Sequence, residues 1–231
     1  MKIAIMQPYF FPYIGYFQLI NAVDVFVLYD DVHFIKKGWI NRNRILLNGK
    51  AHLFTIPCKD SSQNRLISET EIAFGGKAKD KLIRTIQMAY KRAPYYHDVL
   101  GMIEEVILSN SLYLHEIATK SIQSICSFLS IETLLKSSLT YRNQSLKKED
   151  RLIDICKNEN ILEYINAEGG QEIYTKDSFA AKSIFLSFIK PKLIRYNQLQ
   201  NEFVPGLSMI DVMMFNSIPE IKNMLLQYEL K

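Results

Sequence analysis

Apolar positions along this chain change their spacing several times, and each change marks an element. Residues 2–6 (KIAIM) form a short apolar run that stops at Gln7 and Pro8. This is the pattern of a buried strand, because proline has no amide hydrogen for the next rung of a ladder. From Tyr13 onward, Ile14, Phe17, Leu19, Ile20 and Val23 recur at helical spacing, and a second strand-length run, VFVLYDDV, begins at Val25. Strand, turn, helix and strand in that order predict a right-handed parallel crossover. Residues 7–9 and 29–31 are thereby expected at one edge of the sheet, where ligands of open α/β sheets bind.

The pattern then alternates. RILL and AHLFTIPC flank Asn48 and Gly49, two residues that tolerate positive φ, and predict an antiparallel hairpin. Residues 77–130 read as helical, with Leu82, Ile86, Ala89 and Tyr90 on one face, a break near Ala93 and Pro94, and Val99, Ile103, Val106, Ile107, Ile117, Ile122, Ile125 and Leu129 continuing the stripe. IETLLKSSLTY as a strand, KKEDRLIDICKNEN as an amphipathic helix and ILEYINAEGG as a strand make a second β-α-β unit. DSFAAKSIFLSFI and PKLIRYNQL fit either helix or strand. SMIDVMMFNSIPEIKNMLLQYEL reads as helical, with Ser208 as N-cap and a break at Pro219. The predicted fold class is α/β: a Rossmann-like three-layer core with a largely parallel sheet, a β-hairpin after the second strand and a mainly helical insertion at about 77–130, all in one domain covering 1–231.

Composition changes this picture little. The chain is 48% hydrophobic and 23% charged, which is ordinary for a globular protein, and no apolar run reaches the ~20 residues of a membrane-spanning helix. The N-terminus lacks the small-residue cleavage site of a secretory signal, so a cytoplasmic location is expected. Cys58, Cys126 and Cys156 are scattered and odd in number, which argues for reduced thiols rather than a disulfide framework or zinc site. The net charge of +4, from 28 basic and 24 acidic residues, is spread along the chain and fits an anionic small molecule as well as RNA.

Four stretches carry candidate chemistry. In QPYFFPYIGYF, Gln7 and Gly15 stand where a ligand can approach a helix start, and Tyr9, Tyr13 and Tyr16 can stack on a base or sugar and orient it by their hydroxyls. Phe10, Phe11 and Phe17 are expected in the core. In DDVHFIKKGWINRNRI, Asp30 and Asp31 end a strand and point to opposite faces. Together with His33 they are the candidate acid–base residues, while Lys36, Trp39, Asn41, Arg42 and Arg44 are candidates for binding substrate, the arginines through bidentate contacts to phosphate or carboxylate. In NAEGGQEIY, Gly169 and Gly170 can present backbone amides beside Tyr174. In the last stretch, Asp211 follows Ser208 at cap spacing and joins the binding candidates. No metal-ligand set is apparent.

The first stretch also invites comparison with nucleotidyltransferases that carry a His-x-Gly-His motif between strand and helix. Tyr13, Ile14, Gly15 and Tyr16 occupy that place here. Both histidines that would stabilise charge on a transferred phosphate are replaced by tyrosine, which counts against ordinary nucleotidyl transfer.

Taken together, QPYFFPYIGYF (7–17), VFVLYDDVHFIKKGWINRNRI (25–45), DRLIDICKNENILEYINAEGG (150–170) with Tyr174, and YNQLQNEFVPGLSMIDVMM (196–214) resemble the WbqC-like protein family. The resemblance implies a place in bacterial surface-polysaccharide (O-antigen) clusters, and a glycine-transferase role decorating an amino sugar.

The first functional reading is therefore transfer of a small acyl or aminoacyl group, glycyl among them, onto the amine of a nucleotide-linked or lipid-linked sugar. A base must deprotonate that amine, and the activated donor must come from an unnamed carrier, because no G-x-x-x-x-G-K-[ST] loop or Ser-His-Asp order is present. The alternatives are a nucleotidyltransferase-like enzyme using Mg²⁺ with ATP or CTP, and a non-catalytic module that binds a glycan intermediate. The small and dispersed basic excess counts against nucleic acid as a partner unless a charged tRNA is the donor.

Overall fold

A computed structural model describes residues 1–59, 62–199 and 202–231. In chain order, β1 (Lys2–Met6), α1 (Ile14–Asn21) and β2 (Val25–Leu28) form the expected crossover, followed by the hairpin β3 (Arg42–Leu47) and β4 (Lys50–Thr55). Helices α2 (Gly76–Tyr90), α3 (Tyr96–Leu108) and α4 (Leu114–Phe128) precede β5 (Leu134–Ser137), α5 (Lys148–Asn158) and β6 (Glu163–Ala167). The chain ends with α6 (Lys176–Ala180), β7 (Phe185–Pro191), α7 (Met209–Phe215), α8 (Ile218–Leu225) and β8 (Tyr228–Leu230).

Six strands form one sheet in the order β5-β2-β1-β6-β7-β8, parallel except for β8, and the hairpin stands as a separate two-stranded sheet. Strand order runs one way from β1 to β2 and β5, and the other way from β1 to β6 and β7. The reversal opens a crevice outside the carboxyl ends of β1 and β6. With helices on both faces, this is a Rossmann-like α/β arrangement.

Alternation along each strand explains why both faces are covered. Ala4, Phe26, Leu28, Ile165 and Ile189 enter a core that continues through Ile45, Ile86, Ile103 and Ile122, so the hairpin and α2–α4 pack into the same apolar mass as the sheet. Ile3, Ile5, Val25, Val27, Tyr164 and Phe188 face a smaller core with α5 and α6. No helix among the described residues is long and apolar enough to cross a membrane.

Several boundaries differ from the sequence reading. The helical stretch has a second break at 109–113, and the strand read from IETLLKSSLTY covers only Leu134–Ser137 before a 3₁₀ turn at Ser138–Tyr141. The C-terminal helical stretch is two helices and a strand. Ser217 caps α8 and Glu220 accepts the Ser217 amide at 2.7 Å, with Pro219 in the first turn, where its missing donor costs nothing.

Candidate functional site

The turn after β1 is bound from every side. Phe11 adopts a left-handed conformation, φ 44°, which is costly for a residue with a large side chain. Its amide donates to Ser121 Oγ (3.0 Å), and its carbonyl accepts Asn43 Nδ2 (2.7 Å) and Ser208 Oγ (2.7 Å). The Phe10 amide donates to the Ile40 carbonyl (3.0 Å), and the Met209 amide to that of Pro12 (2.8 Å). Phe10 and Phe11 are sealed in the core, as expected, and the same geometry holds Tyr9 and Tyr13 at the rim.

A cavity of about 340 Å³ opens there, lined by Met6, Tyr9, Tyr13, Trp39, Asn43, Arg44 and Gly206. A second, of about 240 Å³, shares Met6 and Tyr13 and extends to Gly15, Tyr16, Ala167, Glu168, Gly169 and Pro191. Together they occupy the switch point between β1 and β6. Trp39 is 40% exposed, with the guanidinium of Arg44 5.2 Å and that of Arg42 5.9 Å from its ring centroid. Arg44 donates from Nη2 to the Gly206 carbonyl (3.0 Å), whereas its buried Nε has no partner. Burial raises the hydroxyl pKa of Tyr9 and Tyr13, and the charge of Glu168 raises that of Tyr13 further, so both are neutral donors near pH 7. The crevice thus offers three aromatic rings, a guanidinium and two phenolic hydroxyls.

Other predicted binding residues hold the walls. Tyr16 is buried and donates to the Gln7 carbonyl at 2.9 Å. Gly15 makes room for protein rather than ligand: a Cβ there would lie 2.4 Å from Tyr13 Cε2 and 2.8 Å from Pro191 Cγ. A Cβ on Gly170 would strike the Asn166 amide at 2.4 Å, but Gly169 has open space. Arg42 donates from Nε to the Gly38 carbonyl (2.9 Å) and also bonds the Lys37 carbonyl. Asn41 ties to the Ile56 carbonyl at 2.9 Å, and His33 and Lys36 stand exposed on the loop after β2. Tyr174 packs edge-on against Phe179 on the other face of the sheet.

Asp30 and Asp31 lie at the end of β2, beside the carboxyl end of β1, but both are buried and fully partnered. Asp30 is 1% exposed; it accepts Ser137 Oγ (2.8 Å) and Ser138 Oγ (3.0 Å) and pairs with His115 Nδ1 (3.5 Å). Burial pushes its pKa up, and the hydrogen bonds from His115, Ser137 and Ser138 outweigh this, leaving it below the usual carboxylate value. Asp31 turns the other way, to the buried guanidinium of Arg151 and to Gln144 Nε2 (2.9 Å), and also takes a hydrogen bond from Ser138. The alternation argument therefore holds for direction, with one carboxylate facing the α4 side and the other facing α5.

Asp211 is also interior. It accepts Tyr90 Oη, Tyr196 Oη and Gln198 Nε2, each at 2.7 Å, and burial raises its pKa despite these donors. Burial pushes the thiols up to about 11 for Cys58 and about 12 for Cys126 and Cys156, values that suit packing rather than nucleophilic attack. Among the described residues, no group of three His, Cys, Asp or Glu side chains converges.

Sequence reasoning missed Asn43, Glu168, Arg151 and His115. Asn43 had a signal, an uncharged polar residue between two arginines at the start of a strand whose second half, Ile45–Leu47, is apolar. His115 had none, because its partner Asp30 is distant in sequence.

The sequence profile of the WbqC-like protein family matches residues 7–223, which includes every residue of the crevice except Met6. A Mycobacterium tuberculosis protein, "Uncharacterized protein Rv1507c", is 30% identical over 215 residues, 92% of each chain. No solved structure matches. The matched span runs from the ring-rich turn to α8, and the chain belongs to the WbqC-like protein family.

Proposed function

We propose that this protein transfers a small acyl or aminoacyl group, glycyl among them, onto the amine of a nucleotide-linked or lipid-linked amino sugar in surface-polysaccharide assembly. The observation that carries this reading is the crevice at the switch point. Trp39, Tyr9 and Tyr13 suit a base or sugar face, and the guanidinium of Arg44 on the same wall suits a phosphate. Gly169 leaves space at the end of β6 for the transferred group.

The transfer forms a bond from the sugar amine to the acyl carbon and breaks the bond from that carbon to the donor's carrier, which departs. It needs a base to take the amine's proton, because a protonated amine has no lone pair for the activated carbonyl. We assign this role to His115, which stands outside the lining of the two cavities, beside Asp30 at the neighbouring strand end. Buried Asp30 lies 3.5 Å from its Nδ1, the logic of an imidazole oriented by a carboxylate. Asp30 then positions the base, and Asp31 with Arg151 fixes the strand end that carries it. A nucleotidyl-transfer reading draws no support from Tyr16, whose hydroxyl is committed to Gln7.

A thermal-shift screen with UDP-sugars, dTDP-sugars, ATP and CTP, each with and without Mg²⁺, tests the reading. Binding to the folded state at a hundredfold excess over Kd adds about 2.7 kcal/mol of stability. Sugar nucleotides are expected to shift the transition, Arg44→Ala and Tyr13→Ala to remove the shift, and His115→Gln to keep it while losing turnover. A shift by ATP or CTP that requires Mg²⁺ overturns group transfer in favour of nucleotidyl chemistry. Binding without any turnover leaves a glycan-binding module.

A further inference from the structure

A cavity larger than either of those in the crevice lies elsewhere, between the hairpin and α2. It measures about 590 Å³ and is lined chiefly by apolar groups, among them Leu47, Leu53, Phe54, Phe74, Leu82 and Met88. Two of these are well exposed, Leu53 at 47% and Met88 at 61%. An open apolar groove of this kind marks an interaction surface more often than a free one.

Charge on its border identifies the partner. Lys77, Lys81, Arg84, Met88 and Lys91 follow one another at spacings of four, three, four and three along α2 and its end, which places them in a single stripe. All five are exposed, and Leu82, Ile86 and Tyr90 occupy the opposite, buried face. Asp80 is the only acidic residue of α2, and no carboxylate lines the apolar groove among the described residues. Among those residues no carboxylate pairs with Lys77, Lys81, Arg84 or Lys91; the same holds for Lys36, Lys176, Lys182 and Lys222, but those are scattered, and α2 is distinguished by having its cations in one stripe. An unpaired basic stripe beside exposed apolar side chains complements a surface that is anionic outside and apolar beneath.

We propose that this face of the hairpin and α2 docks on an anionic lipid bilayer. Leu53 and Met88 enter the headgroup layer, and Lys77, Lys81, Arg84 and Lys91 lie among the anionic headgroups. The docking is separate from the crevice and stands whether or not the crevice transfers a group.

Flotation of the full chain with phosphatidylcholine vesicles, with and without phosphatidylglycerol, reads this directly. Binding is expected only to the anionic vesicles and is expected to weaken as salt rises. Each basic residue at such a surface contributes about fivefold in affinity, so Lys77→Gln, Lys81→Gln and Arg84→Gln together are expected to lower it roughly a hundredfold. Leu53→Ser with Met88→Ser is expected to weaken it further at constant charge. A control variant, Lys176→Gln, Lys182→Gln and Lys222→Gln, removes the same charge from exposed positions elsewhere and is expected to bind like the parent. Equal losses in both triple variants, unchanged binding of the Leu53 and Met88 variant, or no binding to anionic vesicles at low salt would each overturn the proposal.

Discussion

Gly15 and Gly169 look alike in the sequence, each beside a predicted ligand edge, yet the space around them differs. A methyl group on Gly15 meets Tyr13 and the rigid ring of Pro191, whereas one on Gly169 meets nothing within 4 Å. Gly15→Ala is expected to cost about 1–3 kcal/mol in urea denaturation, towards the lower end because the Tyr13 ring can swing outward. That swing removes a wall of the crevice, so ligand binding is expected to fall more than stability does. Gly169→Ala is expected to leave the denaturation midpoint unchanged. The buried aspartates differ in the same way, through their surroundings. The pKa of Asp30 is lowered on folding, so its contribution is complete above its unfolded value, about 3.9, and is lost as pH falls through the folded one. That of Asp211 is raised, so folding favours its protonated form, and stability declines as pH rises from about 3.9 through the folded value. Stability measured against pH is therefore expected to lose an acid-side drop in Asp30→Asn and to lose a fall of opposite sign in Asp211→Asn. Curves that keep the parent shape in both variants would contradict these assignments.

The hairpin links elements that are far apart in sequence. Asn43 holds the carbonyls of Phe10 and Phe11 (3.3 and 2.7 Å), and the Arg44 carbonyl accepts the Ser208 amide at 2.8 Å, so β3 fixes both the ring-rich turn and the start of α7. Asn43→Ala leaves a left-handed phenylalanine with one side-chain donor fewer. It is expected to cost about 1–3 kcal/mol and to weaken sugar-nucleotide binding, as isothermal calorimetry would report. Elements of this kind were legible where their determinants are local. The apolar runs of β1 and β2, the helical spacing of α1 and the Asn48–Gly49 turn, with φ of 52° and 71°, each follow from neighbours in the chain. Strand β8 was not legible, because three half-exposed residues at a sheet edge carry no periodic pattern. The site was half legible. Ring-bearing Tyr9, Tyr13 and Trp39, and Arg44, follow from residue type, but the burial of Asp30 and Asp31 depends on serines, a histidine and an arginine supplied by β5, its following turn, α4 and α5.

Across the whole molecule, the strand order decides when the crevice exists. Its one wall comes from residues 6–19 and 39–44 with Gly206, and its other from Ala167–Gly169, Ile189 and Pro191. The walls meet only after Ile3 has found Tyr164 and Glu163 has found Phe185. A chain ending before β6 is accordingly expected to show no ligand-induced thermal shift, which the screen above can measure on a fragment of residues 1–160. During synthesis this has a temporal meaning. The first strand leaves the ribosome early and waits, with one edge unpaired, through the hairpin, three long helices, β5 and α5. Contacts between such distant segments close slowly, so late pairing of β1 with β6 is a natural bottleneck in folding. A ligand that grips both walls would hold that last junction shut, and would protect the finished chain from proteolysis while leaving nascent chains untouched.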